Sequence, residues 1–289
     1  MRDIAGQAVW ITGAGTGIGR AMALAFAAAG CRVALTGRSR ESLSETMRQV
    51  EAVGGSAVMA LADVADAHQV TQAHLAVTAA LGDVDILVNN AGANARRRHW
   101  SELSPADMAA VVDVNLKGPF LCSLAVLPAM RERRTGLLIH VASVAGTGIF
   151  AVSGPAYTAS KHGARALSAT INAEEGIHGI RSVCINPGEV ATPILDTRPR
   201  PPSAEERAIM IQPEDIAEAA VFAARMPVRT CMAEMTITPT DNAFYRATAQ
   251  AIAGASSGTS SGASSGTSSG ASSGTSSGAS SGAFSGVAR

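Results

Sequence analysis

Apolar positions along the chain fall into short, β-branched runs that alternate with longer stretches of helical spacing. Ala8–Thr12, Arg32–Thr36, Ala57–Leu61 and Ile86–Asn89 are runs of the first kind and predict buried strands. Between them, Ile18–Ala29, Arg40–Val53 and Ala67–Leu81 carry helical patterns, closed by Gly30, by Gly54-Gly55 and by Gly82. Further on, Pro105 opens a helical stretch to about Arg131, with a kink expected near Gly118-Pro119. Leu137–Ala142, Ser182–Ile185 and Glu234–Thr238 predict strands, and Tyr157–Ile177 and Glu214–Ala224 predict helices. Seven strands separated by helix-length segments predict an α/β fold with a doubly wound parallel sheet and right-handed crossovers.

The pattern stops at Ala255, where Ala-Ser-Ser-Gly and Thr-Ser-Ser-Gly alternate to Gly282. Such a tract has almost nothing to bury against roughly 1–2 kcal/mol of backbone entropy per residue. The predicted organisation is a single domain over 1–252 and a disordered, Ser/Gly-rich flexible tail over 253–289. Gly258-Thr-Ser-Ser-Gly262 matches a hydrolase nucleophile pattern, but a repeating tract cannot hold the strained strand–turn–helix that chemistry needs.

Composition narrows the class. Lys+Arg and Asp+Glu both count 23, so nothing favours bulk attraction to nucleic acid or an anionic membrane. No uncharged apolar run reaches the length of a membrane span, and the N-terminus lacks a signal-like apolar region; a cytoplasmic protein is expected. Cys31, Cys122, Cys184 and Cys231 are widely spaced and read as reduced, mostly packed thiols, and the histidines follow no ligand spacing, so no metal is expected.

The first strand runs into Thr12-Gly13-Ala14-Gly15-Thr16-Gly17-Ile18-Gly19, and a helix follows at once. Glycines let the backbone approach a pyrophosphate, and the helix N-terminus offers free N–H groups and partial positive charge. Between a strand and a helix, this points to a Rossmann-type dinucleotide site rather than an ordinary glycine-rich turn. At the end of the second strand, Thr36-Gly37-Arg38-Ser39-Arg40 has no acid to bind a ribose 2′-hydroxyl. Arg38 there predicts NADP, with NAD as the alternative; otherwise it is a solvated helix start.

Only two lysines, Lys117 and Lys161, and two tyrosines, Tyr157 and Tyr245, occur in the chain. Tyr157 and Lys161 are i and i+4, hence on one face of a helix. A tyrosine hydroxyl has a reference pKa of about 10, and a nearby ammonium lowers it. Tyr157 is thus a candidate general acid in ketone reduction and base in alcohol oxidation, with Lys161 tuning it. Ser143 follows a strand, at the sheet edge where ligands bind, and its hydroxyl would stabilise charge on a substrate oxygen. Taken singly, the pair is a surface pair and the serine a helix cap.

Together with Asn89-Asn-Ala-Gly92 and Ser143-Val-Ala-Gly146, these residues resemble the short-chain dehydrogenase/reductase family over about residues 6–240. The resemblance implies an NAD(P)-dependent enzyme that moves a hydride between nicotinamide and a small carbonyl or alcohol substrate. It implies that Lys161 also holds the nicotinamide ribose and that Asn115 supports a proton relay through water. It implies cofactor contacts from Asn90, Ala91 and Gly92, from Asp63 and Val64, and from Pro187, Gly188, Val190 and Thr192. For Asp63 the alternative is an acid capping the next helix. A dimer or tetramer built on the helices 106–130 and 157–175 is also implied. The Ser143–Tyr157 interval is one residue longer than the commonest family spacing, which touches the loop 147–156. Met235-Thr-Ile-Thr-Pro-Thr240 departs from the family's Asp-Gly-Gly ending and looks like the branch acting on small 3-hydroxy acids.

The run Arg96-Arg97-Arg98-His99 predicts a solvated basic loop, with the alternative that one arginine attracts an acidic substrate. Ile194–Gln212 is read as a lid stiffened by prolines. Two competing readings are a non-catalytic dinucleotide sensor on the same fold, which loss of Tyr157 or Lys161 would favour, and a serine hydrolase, which lacks its elbow outside the tail.

Overall fold

Strand β1 (Ala8–Thr12) reads Ala-Val-Trp-Ile-Thr, and all of its residues are buried. It lies in a computed structural model that describes residues 1–198 and 200–242. The other strands are β2 (Arg32–Gly37), β3 (Ser56–Leu61), β4 (Ile86–Asn89), β5 (Gly136–Val141), β6 (Ile180–Pro187) and β7 (Glu234–Ile237). They form one parallel sheet in the order β3-β2-β1-β4-β5-β6-β7. Successive side chains on a strand point to opposite faces. Val9, Ile11, Val33, Leu35, Val88 and Ile139 therefore enter one apolar cluster, while Trp10, Ala34, Leu87 and Leu138 enter the other. Both faces are covered by helices, which is why the strands read as continuous apolar runs.

Helices α1 (Gly17–Ala28), α2 (Arg40–Ala52) and α8 (Pro213–Ala224) cover the first face. Helices α3 (Ala67–Leu81), α5 (Gly118–Arg133) and α6 (Pro155–Glu175) cover the second. Two shorter helices are α4 (Pro105–Val112) and α7 (Ala204–Ala208). The stretch 105–133 is apolar and long enough to cross a membrane by length and composition. Here Cys122, Val126, Leu127 and Met130 on it pack against the sheet.

The kink expected near Gly118-Pro119 takes the form of a π-helical stretch, Asp113–Lys117, between α4 and α5. Pro119 has no N–H to offer the carbonyl of Asn115, so an α-helical bond is impossible there. A Cβ on Gly118 would stand 2.8 Å from Val64 Cγ2, so glycine allows the helix to approach the end of β3. Among the boundaries that differ from expectation are those of β6 and α6. Strand β6 runs from Ile180 to Pro187 because both ends pair, with β5 and β7. Helix α6 starts at Pro155, a residue suited to the first turn because it lacks an N–H. The tail and its predicted boundary after residue 252 lie outside the described residues.

Candidate active site

The strand order reverses direction between β1 and β4, and the C-terminal ends of the strands open there into a cleft. The glycine turn forms its floor. Gly13 and Gly17 have φ of +63° and +53°, a region costly for other residues. A Cβ at Gly13 would meet Ala91 Cα at 2.8 Å, and one at Gly19 would meet Gly13 O at 2.2 Å. At Gly15 the obstacle is Ser42 Oγ, and at Gly17 it is Thr192 Cγ2. Thr16, which precedes α1, makes no side-chain cap bond to the first turn. Ile18 packs against the first core cluster. A cradle this thin, with N–H groups at its rim, fits a dinucleotide pyrophosphate.

The turn is stapled to the end of β4. Asn90 Nδ2 donates to the carbonyls of Thr12 (3.0 Å) and Gly13 (3.2 Å). Thr12 Oγ1 accepts from the N–H groups of Asn90 and Ala91 at 3.1 and 3.2 Å. Arg20, which sequence reasoning passed over, donates to Gly15 O at 2.5 Å and to Thr46 Oγ1 at 3.1 Å. Nothing in the linear pattern marks Arg20, because its role lies in tying the turn to Thr46 of the next helix.

Arg38 sits at the end of β2, 73% exposed, with Asp63 4.0 Å away. Asp63 Oδ1 accepts from Ala65 N at 3.0 Å and so shapes its own turn, while the cap of α3 is Asp66. Val64 is buried against Gly118. On the other side of the cleft, Pro187 ends β6 and Gly188 lies against Pro239. Val190 bridges to Ile211, and Thr192 packs over Gly17, which joins this segment to the glycine turn.

Tyr157, Lys161 and Ser143 come together at the centre. Lys161 Nζ lies 5.5 Å from the Tyr157 ring centroid, as their helical spacing predicts. Nζ donates to Val141 O at 2.8 Å, and a Cβ on Gly92 would lie 3.7 Å from it. Ser143 caps a short turn, accepting from Ala145 N at 3.1 Å, and its hydroxyl lies close enough to Tyr157 to act on the phenol. Asn115 is buried in the π stretch. Its amide donates to Ala93 O (2.9 Å) and Ser160 Oγ (3.1 Å), and its Oδ1 accepts from Ala93 N (2.8 Å).

Burial raises the Tyr157 pKa above its ordinary value; the Ser143 hydroxyl and the charges of Arg198 and Arg98 oppose that rise. Arg198 and Arg98, which the sequence did not single out for this, thus add positive charge near the hydroxyl besides that of Lys161. Lys161 is itself pushed down to about 8 by burial.

Arg98 is the other departure. Arg96 and Arg97 are exposed, as a solvated loop requires, but Arg98 is only 4% exposed. Its Nη2 donates to Thr197 O (2.6 Å) and Thr197 Oγ1 (3.2 Å), in a turn spanning Pro193–Thr197. Arg198 pairs with Glu189 at 2.8 Å. The remainder of the segment read as a lid carries α7, which has a Ser203–Glu206 capping box and an ion pair between Arg207 and Asp196.

Behind Lys161, His140 on β5 is buried beside Asn89, and its Nε2 has no partner. Burial, with the charge of Lys161, pushes its pKa down from 6.5 to about 4. The unfolded chain therefore binds a proton that the native state refuses as pH falls from 6.5 to 4, and stability drops in that window. The loss amounts to about 3 kcal/mol. Urea unfolding at pH 7 and pH 4.5 is expected to show this loss in the native protein and a smaller one in His140→Asn. Parallel losses would mean that the imidazole is not the acid-sensitive group.

Comparison with known proteins identifies the family. The family model described as short chain dehydrogenase matches residues 7–202. Levodione reductase of Leifsonia aquatica is 35% identical over 216 residues, 72% of this chain and 80% of that protein. A 3-oxoacyl-[acyl-carrier-protein] reductase of Synechocystis is 33% identical over 231 residues, 78% of this chain and 92% of that protein. Among solved structures, a metagenomic short-chain oxidoreductase in complex with NADP superposes with TM-score 0.72 and 32% identity, covering 83% of this chain and 99% of its own. A short chain dehydrogenase from Mycobacterium paratuberculosis bound to NAD gives TM-score 0.71 at 29% identity, covering 82% and 97%. Matched by one family model from its first strand past its sixth, and related at this level across most of its relatives' length, the chain belongs to the short-chain dehydrogenase family.

Proposed function

We propose that the protein is an NADP-dependent oxidoreductase that interconverts a carbonyl and a secondary alcohol. The observation that carries this reading is the convergence of Lys161, 5.5 Å from the Tyr157 ring centroid, and Ser143 on one tyrosine at the end of the sheet that carries the glycine turn. The nicotinamide, when bound, supplies or takes the hydride. The chain handles the proton. A Tyr157 hydroxyl held above its ordinary pKa stays protonated at neutral pH and donates to the carbonyl oxygen during reduction. Ser143 holds that oxygen and steadies its developing charge. Lys161 lies beside Gly92 and Asn115, where it binds ribose hydroxyls and passes the proton onward through water held near Asn115. A sensor without catalysis would have no use for a serine, a tyrosine and a lysine gathered at this point.

Gly13, Gly15, Thr16, Gly17, Ile18 and Gly19 cradle the pyrophosphate, and Thr12 with Asn90, Ala91 and Gly92 forms the wall beside the adenosine. Asp63 and Val64 border the adenine. Pro187, Gly188, Val190 and Thr192 line the nicotinamide side. Arg38, exposed and 4.0 Å from its nearest acid, receives the 2′-phosphate. The relative in complex with NADP supports that preference; the one bound to NAD keeps the second cofactor in the test. Met108, Phe120 and Leu124, exposed on α4 and α5, support a homo-oligomer, dimer or tetramer, built on these helices.

The test is consumption of NADPH and NADH, followed at the nicotinamide absorbance, against a panel of ketones and secondary alcohols. Absence of turnover with every carbonyl would end the catalytic reading. Arg38→Gln is expected to reduce the NADPH-over-NADH ratio of kcat/KM by roughly ten- to a hundredfold, the worth of one charge-assisted bond. A native enzyme that favours NADH would reverse the assignment of Arg38.

A further inference from the structure

A buried guanidinium beside the candidate proton donor lacks a counter-ion. Arg98 is only 4% exposed, and no carboxylate lies within 4.0 Å of its side chain among the described residues. Both hydrogen bonds of the guanidinium leave from Nη2, toward Thr197, and Nε is buried without a partner. Of the nearby acids, Glu102 acts on the guanidinium by charge alone, without an ion pair, and Glu189 is engaged elsewhere. Glu102 Oε1 accepts from the backbone N–H of Arg98 at 3.2 Å, and Glu189 pairs with Arg198 at 2.8 Å. Removing a charge from water without a partner costs several kcal/mol. A neutral amide could tie Thr197 equally well, so the lid bond alone does not account for a charge here.

Position matters as much as charge. Gly154, three residues before Tyr157, is pressed on the Arg98 backbone: a Cβ there would stand 2.5 Å from Arg98 O. The side chain reaches the turn Pro193–Thr197, which follows Thr192 at the glycine turn. Arg98 thus joins the start of α6 to the lid, and its charge acts on the Tyr157 hydroxyl together with that of Arg198. The contrast is Arg181, also buried, whose Nη1 is satisfied by the carbonyls of Met226 and Thr230 at the opposite end of β6.

We infer that Arg98 is a specificity-determining residue that binds a carboxylate of the substrate, so that the enzyme acts on oxo acids and hydroxy acids. This rests on the oxidoreductase reading above and narrows its substrate class. The guanidinium keeps donors that Thr197 does not use, and a carboxylate supplies the missing counter-charge. Arg198, already paired with Glu189, adds attraction at the mouth of the cleft.

The test compares oxo acids of four to six carbons with their methyl esters, using NADPH. Its readout is the acid-over-ester ratio of kcat/KM, in which active fraction and any effect on Tyr157 cancel. The native enzyme is expected to prefer the acid. Arg98→Gln is expected to lower the ratio at least about thirtyfold, and Arg98→Lys to recover part of it. A native preference for the ester, or a ratio unmoved by Arg98→Gln, overturns the proposal. Binding of pentanoate in the presence of NADP, measured by calorimetry, gives a readout that needs no turnover. It is expected to weaken more than about tenfold in Arg98→Gln. Equal affinities overturn the carboxylate site. Pentanoate binding through Arg98 without turnover of any carbonyl overturns the oxidoreductase reading alone.

Discussion

Tyr157→Phe is expected to fold, to bind NADPH within about threefold of the native affinity, and to lose at least about a thousandfold in kcat, within the range of general acid–base catalysis. The substitution removes one oxygen and keeps the ring. Its neighbours at that oxygen are the Ser143 hydroxyl and the charges of Arg198 and Arg98, none of which belongs to the glycine turn. The stability change is small, about 1 kcal/mol, because the ring keeps its packing and a buried hydroxyl is no longer desolvated. Single-turnover kinetics with saturating NADPH separates the chemical step from binding. A kcat within tenfold of native would place the proton donor elsewhere, and Ser143 would then be the next group to examine.

The second large effect concerns the cradle. Gly19→Ala places a methyl group 2.2 Å from Gly13 O and 2.5 Å from Asn90 Nδ2. Neither neighbour can yield, since Gly13 O accepts from that same amide and β1 and β4 fix both chains. Relief requires α1 to move away from the turn. Overpacking of this kind costs about 1–3 kcal/mol, and the N–H groups at the rim lose their convergence. Cofactor affinity is expected to fall at least about a hundredfold, roughly two charge-assisted bonds' worth of binding. Titration of NADPH fluorescence checks the affinity, and thermal unfolding checks the stability. Gly176→Ala is the control, because nothing lies within 4 Å of the added carbon and φ is −57°. Native affinity in Gly19→Ala would mean that the pyrophosphate lies somewhere other than against this turn.

The parts of the molecule legible in the sequence share a physical cause: they are local. Parallel strands buried on both faces leave continuous apolar runs, so β1, β2 and β4 could be placed almost to the residue. The glycine turn needs small residues at fixed offsets along one segment. Tyr157 and Lys161 meet because a helix brings i and i+4 together. What the sequence hid depends on contacts across the fold. Arg98 differs from Arg96 and Arg97 only because the Pro193–Thr197 turn, a hundred positions away, covers it. Arg198 read as part of a stiff lid, yet its charge acts on the Tyr157 hydroxyl. His140 passed as one more strand residue, since its depressed pKa comes from burial and from a lysine on another element. The π-helical turn had a local mark in Pro119, but its form is set by how Gly118 meets Val64.

Asn115 treats Ala93 much as an adjoining strand residue would, giving one hydrogen bond and receiving another from the same backbone unit. The sheet has ended by then, at Asn89, so the amide acts as an extra rung supplied by a helix. Chain leaving Ala93 is already clamped before the basic loop begins. Changes of length or composition from residue 94 to the start of α4 can therefore reshape the cleft mouth while the lysine behind it stays where it is.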